Sequence, residues 1–332
     1  MTLTCVEPEA ASPRGPLATT ESILRREALL DLLALLEAER YAFVTATPAT
    51  HARVLARDGR RQGKDLRDLL GWSLPVAADA VPPNILAALS QAGVLERRED
   101  GLVAATVRAS TVEGTFFLHS AYPTLDADSV FLGPDSYRFA DLIATRAGGM
   151  PPRPRILDYG AGAGVGGISA ARGHRDAHLT LADMNPRALF LASINATHAR
   201  IDHRAVEASD PAAVDGEFDL IVTHPPFMMD EGRRAYRDGG DLYGGQLSLD
   251  WTLALIRKLT PGGRFVLHTG VSIVEGRDVL HDALRAQMPA IGFAWEYTLL
   301  DPDIFGDELD QPAYAEVERI AAIGLTVTRL AD

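Results

Sequence analysis

From Arg155 onward, short apolar runs alternate with stretches in which apolar residues recur at helical spacing. The strands so predicted fall at roughly 155–159, 178–183, 203–207, 218–223, 263–268, 293–299 and 319–328. Strands that are apolar throughout are buried on both faces, and strands separated by helices are joined by crossovers. The pattern therefore predicts an α/β fold, a seven-stranded doubly wound sheet with helices on both sides. Only the last two strands are joined by a loop with no clear helical period.

The first half reads differently. Residues 1–18 are rich in Pro, Ala, Glu and Thr without periodicity, which predicts a disordered tail. Between Ile23 and Leu36 the leucines recur at helical spacing and predict an amphipathic helix. After Pro82-Pro83, residues 84–92 predict a short helix closed by Gly93. Residues 94–97 and 102–108 then flank Glu99-Asp100-Gly101, a hairpin signal. A helix followed by a hairpin is similar to a winged-helix module, which serves DNA binding, substrate recognition or dimerisation in different proteins. The expected divisions are a tail over 1–18, a mainly helical, winged-helix-like substrate-recognition domain over 19–125, and a ligand-binding catalytic domain over 126–332.

Composition sharpens this picture in three places. The net charge is −13 over 332 residues, and nearly all of the acidic excess follows residue 120. That opposes an extended phosphate-binding surface there, because nucleic-acid affinity rests largely on cationic contacts. The one basic cluster is Arg53, Arg57, Arg60, Arg61, Lys64 and Arg67, read either as a solvated face or as a contact for an anionic partner. The single cysteine, Cys5, excludes a disulfide framework within the chain, and no leader-like segment or run of eighteen apolar residues is present. A cytoplasmic setting without membrane contact is expected, and homo-oligomerisation is left open. The pairs His174/His178 and His198/His203 lack clustered carboxylates or cysteines, so no metal site is expected.

The chemistry gathers at strand ends. Arg155–Tyr159 runs into Gly160-Ala161-Gly162-Ala163-Gly164 and then a helix; missing side chains let a ligand approach the backbone there. Gly162, Gly164 and Gly167 also satisfy the G-x-G-x-x-G spacing of dinucleotide folds, so a dehydrogenase is an alternative. Asp158, two residues before the first glycine, suits a cationic ligand better than a pyrophosphate. Asp183 ends the second strand, where a carboxylate can accept ribose hydroxyls, and Asn185-Pro186 starts the next helix. Glu207-Ala208-Ser209-Asp210 ends the third strand, with Asp210 a candidate acceptor for an exocyclic amine. Thr223-His224-Pro225-Pro226-Phe227 follows the fourth strand, and its prolines stop the ladder and leave a stiff loop at the ligand-binding edge. A long loop with Tyr236-Arg237-Asp238-Gly239-Gly240 comes next, read as a lid or acceptor-binding loop.

The stretches ILDYGAGAGVG, LADMNPRAL, FDLIVTHPPF, YRDGG and LTPGGRFVL, in this order, resemble class I S-adenosylmethionine-dependent methyltransferases. The resemblance covers residues 130–328 and is to the small-domain group that contains ribosomal-RNA guanine-N2 and release-factor glutamine-N5 enzymes. It implies a methyltransferase variant of the Rossmann fold whose seventh strand runs antiparallel, with S-adenosylmethionine as cofactor. It implies a cofactor set of Asp158, Gly160, Ala161, Gly162, Asp183, Met184, Ser209 and Asp210. His224, Pro225 and Phe227 take the catalytic positions, and Pro226, Tyr236 and Arg237 the substrate-binding ones. The group has Asn, Asp or Ser where this chain has His224. A neutral imidazole offers one acceptor nitrogen and can also take a proton, so His224 either orients an amine, acts as a general base, or only packs on Phe227. The expected acceptor is an amino group or other heteroatom of a small molecule or amino-acid side chain. An RNA or DNA base is the alternative within the class, and a ligand-sensing regulator with a non-catalytic domain the alternative outside it.

Overall fold

Backbone pairing turns the apolar runs of the second half into one large sheet, seen in a computed structural model that describes residues 20–174, 176–230, 232 and 237–331. The expected tail and Tyr236 lie outside the described residues. In chain order the first elements are α1 (Thr20–Ala38), α2 (Pro48–Leu55), α3 (Leu66–Leu70), β1 (Val76–Ala77), α4 (Pro83–Gln91), β2 (Leu95–Arg97) and β3 (Leu102–Ala105). Next come β4 (Val107–Val112), β5 (Thr115–Ser120) and α5 (Pro134–Arg146). The second half contains β6 (Arg155–Tyr159), α6 (Val165–Ala171), β7 (His178–Asp183), α7 (Pro186–His198), β8 (His203–Glu207), β9 (Phe218–Thr223) and α8 (Gln246–Leu255). It closes with β10 (Leu259–Val274), β11 (Arg277–Asp278), α9 (Val279–Gln287), β12 (Phe293–Ile304) and β13 (Arg319–Arg329).

The large sheet has the order β12-β13-β10-β9-β6-β7-β8, and β11 pairs with β10 as an eighth strand. Eight strands replace the expected seven because β10 runs on through Val274, turns at Glu275-Gly276 and pairs back for two residues. Strands β6 to β10 are parallel along this path, whereas β13 is antiparallel to both β10 and β12. The edge strand β12 continues past the expected end, through Pro302, by register shifts around Asp301. An edge has no ladder on its outer side, so proline is tolerated there. From β6 the chain winds outward to β7 and β8, then returns to lay β9 on the other side of β6. Ligands bind open α/β sheets at the carboxyl ends flanking such a reversal.

The N-terminal half packs on one face of this sheet. The predicted hairpin forms as β2 and β3, and β1 adds a third antiparallel strand. The run expected over 102–108 is divided at Thr106, after which the chain restarts as β4, which pairs with β5. The buried leucines of α1 join one apolar core with α4, β5, α6 and α7. Asn195 of α7 ties the halves together at fully buried positions. Its side chain accepts from the N–H of Leu118 and donates to the carbonyls of Leu118 and Ala163. In the basic cluster, Arg60 pairs with Asp68 and lies over Trp72, Arg67 lies over Phe43, and Arg53 pairs with Asp307 across to the second half.

Candidate active site

The carboxyl ends of β6 and β9 meet at the reversal point, where the Thr223 hydroxyl donates to the carbonyl of Tyr159 at 2.7 Å. A cavity of about 440 Å³ opens there. Gly160, Gly162 and Gly164 all have positive φ, at 72°, 54° and 83°, which lets the loop fold back beneath this space. A Cβ on Gly160 would stand 2.8 Å from Trp251, whereas one on Gly162 would meet no atom within 4 Å. The backbone at Gly162 is thus bared to open space.

Two carboxyl groups order this loop from beneath. Asp158 is 1% exposed, and its Oδ2 accepts from the N–H of Gly167 at 2.7 Å. No basic side chain pairs with it among the described residues, and burial pushes its carboxyl up to about 8. Asp183 accepts from the N–H of Gly162 and from that of Asn185, each at 2.8 Å. Burial also raises its carboxyl above the usual range. The Asn185 side chain caps α7 through the N–H of Arg187 and donates to the carbonyl of Asp128. This pins the segment before α5 over the cavity.

The second wall comes from the proline loop. His224 Nδ1 lies 2.9 Å from the carbonyl oxygen of His268 in β10. A carbonyl only accepts, so Nδ1 carries the proton and Nε2 holds the lone pair. Burial lowers the His224 pKa, although Asp135 nearby acts in the opposite direction. His224 is therefore neutral near pH 7, with an acceptor nitrogen left for whatever occupies the cavity. The Phe227 ring rests on Gly270, where a Cβ would come within 2.3 Å of it, and its backbone is clasped by Gly239 and Gly244 of the following loop. Phe305 approaches the Phe227 ring at 5.9 Å between centroids. Arg237 ion-pairs with Asp230 and Glu308 and also lines the cavity.

Of the residues expected from sequence, the cavity brings together Asp158, Gly160, Ala161, Gly162, Asp183, Met184, Ser209, His224, Pro225, Pro226, Phe227 and Arg237. Asp210 is not on its wall: it is exposed, and its carboxylate caps the turn at Ala212 instead. The wall also includes residues not anticipated, among them Asp135 and Phe139 of α5, Tyr122, Trp251 and Phe305. Asp135 is buried and held by Arg138, which bridges to Asp301. Its one sequence signal is the Gly133-Pro134 start that places it in the first turn of α5. No group of three or more potential metal-ligating side chains occurs among the described residues.

Residues 144–236 match the family described as "Methyltransferase small domain". A release factor glutamine methyltransferase of Deinococcus radiodurans is 34% identical over 47% of this chain and 56% of its own length. A ribosomal RNA small subunit methyltransferase C of Pasteurella multocida is 39% identical over 34% of this chain and 32% of its own. The chain thus spans about half the length, or less, of these curated relatives. The crystal structure of Methanocaldococcus jannaschii Trm5 in complex with adenosine overlays at a TM-score of 0.45, with 13% identity, covering 68% of this chain and 57% of the other. The stretch from 144 to 236, which holds the glycine loop under the cavity and the proline loop in its wall, is the part of the chain that matches the methyltransferase small-domain family.

Proposed function

We propose that the protein is an S-adenosylmethionine-dependent methyltransferase acting on an amino group or other heteroatom of a small molecule or an amino-acid side chain. One observation carries this reading: a buried carboxyl, Asp158, lines the same cavity as a neutral imidazole, His224, whose free nitrogen is an acceptor. The cavity fits the cofactor. Asp158 has no cationic partner of its own, and a ligand with ammonium and sulfonium groups supplies one. Gly162 offers the open backbone approach, and Asp183 has lone pairs left for a diol after its two backbone bonds. When bound, S-adenosylmethionine supplies an electrophilic methyl group for in-line displacement.

The chain's own residues then position the acceptor. His224 Nε2 accepts a hydrogen from the attacking amine or hydroxyl, turning its lone pair toward the methyl group, and takes that proton when transfer requires its loss. The carbonyl of Pro225, a residue of the cavity wall, accepts a second hydrogen. Phe227, fixed between Gly270 and the glycine loop, is the flat surface for a planar acceptor. Arg237, tied to Asp230 and Glu308, shapes the acceptor side. Residues 19–125 form a winged-helix-like recognition domain, a reading supported by α4 followed by the antiparallel hairpin β2–β3, to which the preceding β1 adds a third strand. The single cysteine supports a cytoplasmic setting.

A nucleic-acid base is the second reading, favoured by the Phe227 platform and by Arg53 of α2, a helix whose first residue, Pro48, reaches the cavity wall. The acidic second half opposes it. Incubation with methyl-labelled S-adenosylmethionine and host extract, fractionated into RNA, protein and small molecules, decides between the two. Label in protein or small molecules is expected, and label only in RNA reverses the ordering.

A further inference from the structure

The N-terminal half buries a charge for which methyl transfer has no evident use. Arg108, in β4, is 2% exposed, and its Nε–H donates to the carbonyl of Ser120 at 3.1 Å. Its two terminal nitrogens make no hydrogen bond or ion pair with any described residue. The titratable groups facing it are Tyr41, His51, His119, Tyr122 and Tyr137, and none is a carboxylate. Burial of a guanidinium is costly unless a counter-charge and hydrogen bonds answer it, and no counter-charge stands here.

The neighbours sharpen the imbalance. Burial, reinforced by the Arg108 charge, pushes His51 down to about 4 and His119 well below its ordinary value, so both rings are neutral. His51 Nε2 lies 2.9 Å from the carbonyl of Trp72 and carries the proton, which leaves Nδ1 as a bare lone pair. Nδ1 of His51 and Nδ1 of His119 are both buried without a partner. The phenol of Tyr41 is committed to the carbonyl of Ala109, and that of Tyr137 accepts from the N–H of Thr45. The cluster is therefore positively charged and holds unmatched polar atoms. It lies behind the cavity wall: Tyr122 lines the cavity and stacks on His51 at 4.0 Å, and Ser136, beside Tyr137, also lines it.

We propose that Arg108 anchors an oxyanion-binding site that takes the carboxylate or phosphate group of a ligand reaching it past Tyr122. A planar guanidinium with both terminal nitrogens free receives an oxyanion through two parallel hydrogen bonds, which supplies the missing counter-charge. Equating that ligand with the methyl acceptor rests on the function proposed above. The anion binding does not, and it is measured without turnover, so either can fail alone.

The test is thermal melting of the full chain during titration with inorganic phosphate or acetate at constant ionic strength, for wild type, Arg108→Met and Arg108→Lys. The wild type melts at a temperature that rises saturably with at least one anion. Saturation by phosphate alone assigns a phosphate group, and saturation by acetate alone a carboxylate. Arg108→Met melts above wild type in anion-free buffer, because an uncompensated charge is gone, and loses the anion response. Arg108→Lys keeps the charge without the fork and retains a weaker response, which decides the matter if the Met variant does not fold. An equal response in wild type and either variant overturns the proposal, as does a wild type that shows no saturable response to either anion.

Discussion

Replacing Asp158 by Asn tests the electrostatic state of the glycine loop. The Asp158 carboxyl has a pKa near 3.8 when exposed and about 8 in the folded protein. The folded state thus holds a proton that the unfolded state gives up. For a pKa raised on folding, this group's contribution to stability is complete below about pH 4 and is lost as pH rises toward 8. Each pH unit inside that window removes about 1.4 kcal/mol, so from pH 5 to pH 7 the wild type loses on the order of 3 kcal/mol through this carboxyl alone. The asparagine of Asp158→Asn cannot ionise, keeps an oxygen for the Gly167 N–H, and escapes that loss. Other titrating groups are common to both proteins and cancel in the difference. Urea denaturation of cofactor-free protein at pH 5 and pH 7 measures it: the stability of the Asn variant relative to wild type should rise by about 3 kcal/mol between the two conditions. Parallel pH dependence in the two proteins would refute a proton on Asp158 and, with it, the view that this site awaits a cation.

Two further substitutions probe the frame around the cavity. Gly270→Ala places a Cβ within 2.3 Å of the Phe227 ring, so the ring must swing off its seat; we expect a loss of about 1–3 kcal/mol in stability and at least a tenfold fall in turnover, and unchanged turnover would remove Phe227 from the acceptor site. Asn195→Leu strands the N–H and carbonyl of Leu118 and the carbonyl of Ala163. With unsatisfied buried groups at about 1–3 kcal/mol each, the expected loss is about 3 kcal/mol or more, read by urea denaturation.

Most of the sheet is legible in the sequence because buried parallel strands are marked by local apolar runs. The runs at 155–159, 178–183 and 218–223 coincide with the buried strands β6, β7 and β9, and the strand predicted at 203–207 coincides with the edge strand β8, none of whose residues is buried. Pairing between distant segments is what escapes. The change of partner at Thr106, from β2 to β5, is encoded by no local pattern, and Glu113-Gly114 turns β4 into β5 without one of the stronger hairpin dipeptides. The site divides in the same way. Asp158 and Asp183 lie at the carboxyl ends of β6 and β7 and His224 directly follows β9, so all three can be placed by counting. By contrast, Asp135, Phe139, Tyr122 and Phe305 reach the cavity only through tertiary packing. Asp210 is expected from its position after β8 to contact a ligand, and the sequence does not show that its Oδ1 also accepts from the N–H of Ala212 as a local cap. The tautomer of His224 was also beyond the sequence, since it depends on the carbonyl of His268, 44 residues away.

The most direct test of the account is single-turnover methyl transfer at saturating S-adenosylmethionine, comparing wild type with His224→Ala and His224→Asn on the acceptor fraction that takes label. Cofactor affinity is followed in parallel by calorimetry. The account predicts that both variants bind the cofactor as wild type does, that Ala lowers the transfer rate about a hundredfold or more, and that Asn retains part of it where the acceptor is an amino group. Undiminished transfer in both variants would contradict it.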